Sequence, residues 1–472
     1  MKLLLCLLML LLCLPDPSWS DDDLISGYNS FIFRTYSNEI FSGTDVRRSI
    51  EKDHYTIYNQ LTIRELKIYE SEEYRIFAQG TGWLRHDFGD STYLTRTEAD
   101  LLFGSIQIDR GRTQDGFFRL GRIYNYQGLL HQRFDGAEVF YPFDNGIELN
   151  LYGGVRDYDY IEDMDESYLA GGRIGYRFNR RNTIGLSGLI SHTENQWEEQ
   201  KLGGDWYFTP VTWMDWSGTW GYDRLADELY EFQTQSLLRV SRDFDIRLGF
   251  DYIIPGLLIP KSSIFSVYSL AQEERFYTQL VYHPGTHWTF IGELSYINYE
   301  NEGGMGGPNN FFTDLNALDG GYQWRYGGEI IYRHNPFDEI AFRFEQMLEG
   351  NYGYTVTDLI RQDFDFRDFN PLNPSPEDEG FVFGVYENGF SSFSLHHWHE
   401  WSRQFSHSFN FYYYLYDNPL YLHAQGDESF STNLTLSFKP YPRWQVHVGG
   451  RYLDSLADRE QFQFYLRVVN HF

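Results

Sequence analysis

A chain of 472 residues with 67 Asp and Glu against 38 Lys and Arg carries a formal net charge of −29, which argues against a nucleic-acid ligand and against a basic membrane-surface patch. Its aromatic content is 19%, with 38 Tyr, 39 Phe and 12 Trp, yet its mean hydropathy is −0.49. A soluble domain so rich in rings would bury them in long apolar runs. A transmembrane barrel reconciles the two numbers, because apolar residues facing lipid alternate with polar residues facing the lumen, and aromatic girdles mark both interfaces.

The chain opens with Lys2, an apolar run from Leu3 to Leu14, and small residues at Ser18 and Ser20. This is the pattern of a secretory signal cleaved after Ser20, so residues 1–20 are assigned to a signal peptide. The run is shorter than the roughly 20 residues a membrane helix needs. Both cysteines, Cys6 and Cys13, lie inside it, and Leu12 before Cys13 is not the small residue a lipid anchor requires. The mature chain therefore has no thiol, no disulfide and no cysteine-ligated metal. Beyond Asp21 no apolar stretch approaches about 18 residues, which excludes spanning helices.

From Asp21 to the end the pattern is one of alternating stretches and breaks, without linker or composition shift, so residues 21–472 are read as a single barrel domain. The first strand is expected at Ile25–Tyr36, with no plug domain before it. Clear alternation also marks 168–178, 228–240, 244–252, 322–333, 340–348, 429–439 and 443–452. In 244–252, for instance, Phe244, Ile246, Leu248, Phe250 and Tyr252 oppose Asp245, Arg247, Gly249 and Asp251. Short breaks at 179–182, 283–287, 334–337 and 439–443 alternate with long ones at 38–53, 157–166, 255–270, 300–319, 350–380 and 418–427. The expected fold is all-β, an antiparallel up-and-down transmembrane barrel of about 22 strands, within a range of roughly 18 to 24. Short turns and both termini are assigned to the periplasm and long loops to the outside. Loop 350–380, then 300–319, is the candidate for an inward constriction on length alone.

The polar faces of the strands carry the candidate lumen residues: Arg119, Arg173, Arg177, Arg247, Arg325, Arg343 and Arg451, with Arg239, Arg333, Arg443 and Arg467 of the same kind. They either set a positive inner field that favours anions or pair with wall acids such as Asp245, Glu329 and Glu345. Asp157, Asp159, Asp163 and Asp165 crowd one outer loop and are weak Ca²⁺ candidates, since no full calcium-loop frame is present. In His396-His397-Trp398-His399-Glu400 the alternation places His397 and His399 on one face, a pair short of a third ligand, so an interfacial His and Trp belt is preferred to a metal site. Gly185-Leu186-Ser187-Gly188 breaks the nucleophile-elbow pattern, and Gly303–Pro308 is a flexible loop rather than a phosphate cradle. No catalytic residue, enzyme activity or cofactor is expected.

The last strand, 460–472, alternates Phe462, Phe464, Leu466, Val468 and Phe472 with Gln461, Gln463, Tyr465, Arg467 and His471. It resembles the closing strand of Gram-negative outer-membrane barrels, departing from that signature at Asn470. The resemblance implies that Phe464, Leu466, Val468 and Phe472 close the barrel on strand one and are read by the barrel-assembly machinery. Leu120-Gly121-Arg122, followed by Phe134-Asp135-Gly136 on a returning strand, resembles a motif of porins and alginate-export-type barrels. That likeness implies a place near the constriction for Arg122 and Asp135; an ordinary structural ion pair is the alternative.

The function expected is an outer-membrane porin passing or exporting small hydrophilic or anionic solutes. The alternatives are a sheath for a partner such as a multihaem cytochrome, whose haem would belong to that partner, and a surface-structural barrel acting through acidic loops. Expected partners are outer-membrane lipid, lipopolysaccharide and the assembly machinery, with a homo-oligomer or a lumenal or periplasmic protein also possible.

Overall fold

The structure, a computed structural model, describes residues 24–41, 49–89, 96–111, 116–124, 129, 133–156, 167–179, 181–193, 197–254, 257, 272–300, 321–348, 389–416, 428–454 and 461–472. The assigned signal peptide and most of the long loops lie outside them. The first strands are β1 (Ile25–Phe41), β2 (Ser49–Glu70), β3 (Tyr74–Asp87), β4 (Thr97–Arg110), β5 (Phe117–Tyr124) and β6 (Arg133–Pro142). Next come β7 (Ile147–Arg156), β8 (Tyr168–Asn179), β9 (Asn182–His192), β10 (Trp197–Val211) and β11 (Met214–Asp223). The second half begins with β12 (Glu228–Arg239), β13 (Phe244–Ile253), β14 (Gln272–Tyr282), β15 (Trp288–Glu300), β16 (Gly321–Asn335) and β17 (Asp338–Met347). It finishes with β18 (Phe390–Ser402), β19 (Phe405–Tyr416), β20 (Glu428–Tyr441), β21 (Trp444–Asp454) and β22 (Gln461–His471).

Each strand pairs antiparallel with its neighbours in sequence, and β22 pairs with β1, so the 22-stranded sheet is closed. Closure leaves no free sheet edge at the seam, which is what a structure in hydrocarbon requires. The strand number and the seam match the expectation from sequence. No helix among the described residues is long and apolar enough to cross a membrane.

The connections sort by end. Residues 71–73, 143–146, 283–287, 336–337 and 442–443 all turn at the end of the barrel where β1 starts and β22 stops. Prolines sit in or beside these turns (Pro284, Pro336, Pro442), where a missing N–H breaks no ladder. The long connections emerge at the opposite end.

Exposure fixes which way each face looks. Phe462 and Phe464 of β22 are outward, as are Leu120, Leu151, Ile174, Leu186 and Leu434, all exposed apolar residues in the middle of strands. Their sequence neighbours, among them Arg119, Tyr152, Arg173, Ser187 and Asn433, form the inward set. Because side chains alternate strictly, one such assignment per strand decides all the others up to the next bulge.

The seam is tightly built. Tyr28 to Thr35 of β1 register against Phe464 to His471. Gly27 and Phe472 extend the ladder, the Gly27 amide donating to the Phe472 carbonyl at 2.9 Å and the Phe472 amide to the Gly27 carbonyl at 3.1 Å. A Cβ on Gly27 would lie 2.3 Å from the Thr62 carbonyl oxygen and 2.9 Å from the Phe472 ring, so only glycine fits there. Asn470, the departure from the closing-strand signature, registers against Asn29, whose Oδ1 accepts from Asn59 Nδ2 at 2.8 Å. An asparagine row thus crosses the seam on its outward face. Gly27→Val or deletion of Phe472 is expected to lower the fraction of heat-modifiable, folded barrel recovered from membranes. Single-channel conductance of whatever inserts should not change; normal insertion of both variants would count against this role.

Candidate functional site

The inward wall divides into three stretches with different chemistry. On β5–β10 it is built like a protein core. Ile123, Phe134, Tyr152, Leu169 and Leu189 are inward yet buried, and they pack with Leu129 from the β5–β6 connection. Leu129 reaches across to β10, where a Cβ on Gly203 would lie 2.5 Å from its Cδ2. Leu257, beyond β13, packs in the same way against Tyr230 and Ile254. Leu129 and Leu257, each from a connection at the long-loop end, therefore lie against the inward wall. The loops expected to constrict it, 350–380 and 300–319, lie outside the described residues.

Beside this apolar patch sits a buried charge network. Arg156 bonds to Glu199 and lies 3.5 Å from Glu198, while Lys201 Nζ donates to Glu199 Oε1 at 2.7 Å. Arg156, Glu198, Glu199 and Lys201 are each at most 4% exposed. Charges this deep persist only when paired, since desolvation of an isolated one costs several kcal/mol, on the order of the barrel's whole margin. Arg173 grips Asp205 with two bonds, Nε to Oδ1 at 2.7 Å and Nη2 to Oδ2 at 2.6 Å. Arg177 bonds to Glu148, and Arg119 reaches Gln107 Oε1 at 3.0 Å and Glu138 at 3.5 Å. On this side the wall arginines are neutralised.

On β13–β17 the wall holds an open cavity of about 250 Å³, lined by Arg247, Arg275, Tyr277, Glu293, Arg325 and Glu345. Arg275 Nε donates to Asp251 at 3.0 Å, and Arg325 Nε lies 2.5 Å from Glu345. Arg343 bridges Glu293 at 3.0 Å and Glu345 at 3.1 Å. Arg247, exposed to the lumen, has no carboxylate within 4 Å among the described residues. The guanidiniums here outnumber the carboxylates they meet.

The third stretch runs from β19 through β22 to β1. Its inward positions as far as Arg34 include no aspartate or glutamate among the described side chains. They hold instead Lys439, Arg451 and Arg467 amid Asn410, Asn433 and Gln463. Arg467 Nε donates to Ser30 Oγ at 2.9 Å, and Arg451 lies exposed between Asn433 and Gln463 with no carboxylate within 4 Å among the described residues. A wall arc with fixed cations and no fixed anions presents a positive potential to the water beside it.

Of the residues singled out in the sequence, Arg119, Arg173, Arg177, Arg247, Arg325, Arg343 and Arg451 are all inward. Arg122 and Asp135 are not: they register with each other and share the outward set with Leu120 and Val139. Arg122 Nε and Nη2 donate to Asp135 at 2.8 and 2.9 Å. Arg122 Nη1 also reaches the Leu101 carbonyl at 3.2 Å, just past Gly104, where the β4–β5 pairing stops. The pair holds the outer side of the wall together and does not line the lumen, which corrects the expectation drawn from the porin-like motif. Phe464, Leu466 and Val468 face outward as a lipid-facing closing strand requires. Asp157, Asp159, Asp163 and Asp165 lie outside the described residues. His397 and His399 share the outward face as alternation demands, joined there by Asp338, His407 and Trp401. Among the described residues no group of three or more His, Cys, Asp or Glu side chains is arranged to hold a metal.

What the sequence reading missed is the inward apolar cluster and the buried network beside it. The signal was present as apolar residues on the wrong parity: Ile123, Phe134 and Leu169 occupy positions where a water-filled wall would be polar.

No family model matches the chain, and no curated protein matches it. Solved structures similar to it include Pseudomonas aeruginosa OccK11 (OpdR), at 10% identity and TM-score 0.39, covering 94% of this chain and 95% of the other. Acinetobacter baumannii OccAB4 aligns at 7% identity and TM-score 0.41, covering 96% and 100%. Pseudomonas aeruginosa OccD3 (OpdP) aligns at 8% identity and TM-score 0.40, covering 95% and 91%. At such scores the likeness carries no argument about function, and the closed barrel stands on its own strand pairings.

Proposed function

We propose that this chain is an outer-membrane channel through which small hydrophilic solutes diffuse passively, with anions preferred. A closed antiparallel barrel with an outward apolar band and a polar lumen is built to stand in a bilayer. Its short turns and termini are assigned to the periplasmic side and its long loops to the exterior. The observation that carries the anion preference is the arc from β19 to β1, which holds Arg451 and Arg467 and no carboxylate among the described side chains, joined by the excess of guanidinium over carboxylate around Arg247 on β13–β17. Passage is narrowed where Leu129 and Leu257 pack on the inward wall, and selected by wall charge.

Planar-bilayer recording of the purified protein tests this. Stable steps with a reversal potential shifted toward the chloride equilibrium value are expected in a KCl gradient. Silence unless a second protein co-purifies would favour a sheath around that protein, and cation-selective steps would refute the charge argument. A tag placed in 350–380 should be reached by antibody on intact cells; protection there would reverse the orientation.

A further inference from the structure

The outward face of β2–β4 carries a groove of about 460 Å³. Leu61, Ile63, Leu84 and Leu101 wall it, and Gly80 and Gly82 floor it, since their missing side chains would project outward from the sheet. A water molecule's share of the liquid is about 30 Å³, so the groove has room for roughly fifteen groups of that size, the scale of one hydrocarbon chain. One polar side chain of the outward set lines it. Asn59 is 8% exposed, and its Nδ2 is committed to Asn29 Oδ1 at 2.8 Å. Its Oδ1 is buried with no hydrogen-bond partner among the described residues. An unmet acceptor in an apolar, lipid-facing recess is costly, and a ligand that brings a donor removes the cost.

We propose that this groove holds a single acyl chain bearing a hydroxyl group, the hydrocarbon lying over Gly80 and Gly82 and the hydroxyl donating to Asn59 Oδ1. The site does not call for a carboxylate or phosphate, because the charges of the nearby Arg122 and Arg133 already face the carboxylates of Asp135 and Asp100. The inference rests on the barrel standing in a membrane, but it is independent of what crosses the lumen.

Native mass spectrometry of the detergent-solubilised barrel tests it. Lipid-free, refolded protein would be titrated with 3-hydroxymyristic acid and with myristic acid. The hydroxylated chain should bind about tenfold more tightly, the difference one satisfied hydrogen bond makes. Asn59→Leu should bring that ratio close to one while leaving the plain chain bound. Gly82→Leu, whose Cβ meets nothing closer than 3.4 Å, should fill the groove and abolish binding of both; Gly82→Ala should weaken both. Retention of an intact hydroxyacyl glycolipid by protein extracted from membranes would name a membrane lipid as the source. Retention of the free acid alone would name a soluble one. Equal affinity for the two acids in the wild type, or undiminished binding in folded Gly82 variants, overturns the proposal. Channel steps scored on the same preparations keep its failure apart from failure of the channel reading.

Discussion

Arg451→Glu is expected to lower the anion-to-cation permeability ratio of the channel several-fold in dilute KCl. An ion passing about 8 Å from this side chain in a water-like medium interacts with it by roughly 0.5 kcal/mol. Reversing the charge doubles that change for the anion and imposes the opposite change on the cation, so the unscreened shift approaches about 2 kcal/mol. Counter-ions at 0.1 M, with a Debye length of about 10 Å, cut it to around 1 kcal/mol, or on the order of fivefold in the ratio. Arg451 has no carboxylate within reach among the described residues, so no neighbouring anion compensates for its field. Arg173→Glu would be a poor probe by comparison, since it would leave Asp205 unpaired and disturb the fold. The reversal potential should move at low salt and hardly at 1 M KCl, where the Debye length is about 3 Å. A shift of equal size at both salt concentrations would point to a change in pore shape and not to the field of one guanidinium.

The second large effect is on stability. Arg156→Leu should destabilise the barrel by about 3–5 kcal/mol, because it removes the cation that Glu198 and Glu199 both face in a site shut off from water. Arg177→Leu also breaks an arginine–glutamate pair, yet its side chain is 53% exposed, and a loss below about 1 kcal/mol is expected. Urea unfolding of both variants in phospholipid vesicles would read the contrast. The double variant Arg156→Leu with Glu199→Leu should recover much of the loss, as removing both members of a buried pair does. If Arg156→Leu and Arg177→Leu cost the same, the network on β7–β10 is not shielded in the way the structure indicates.

Much of the architecture was legible in the chain because a barrel writes itself in period two. Phe244 to Tyr252 and Phe430 to Phe438 fell on the lipid side as their alternation required, and the turn prolines marked one end. The site was only partly legible. Alternation places Arg173 and Arg451 on the same kind of face, but it does not say that Asp205 faces one and no acid the other, because that depends on cross-strand register. Arg122 was misread through a local motif, although its parity with Phe118 and Leu120 already placed it outside. The inward core around Phe134 was hidden for a different reason. Its burial comes from cross-strand neighbours such as Tyr152, Leu169 and Leu189 and from Leu129 packed on them, long-range contacts that no local pattern encodes.

The short β4–β5 ladder has a mechanical consequence. Gly104 to Asp109 register against Phe117 to Arg122, with one further bond from the Arg110 amide to the Gly116 carbonyl, whereas β22 and β1 stay zipped from Tyr28 to Thr35 and beyond through Gly27 and Phe472. A cylinder under tension parts where its wall has the fewest rungs. Pulled apart sideways in a force experiment, this one should tear first along β4–β5, braced there by the guanidiniums of Arg122 and Arg133, and the joint between the two ends of the chain should outlast it.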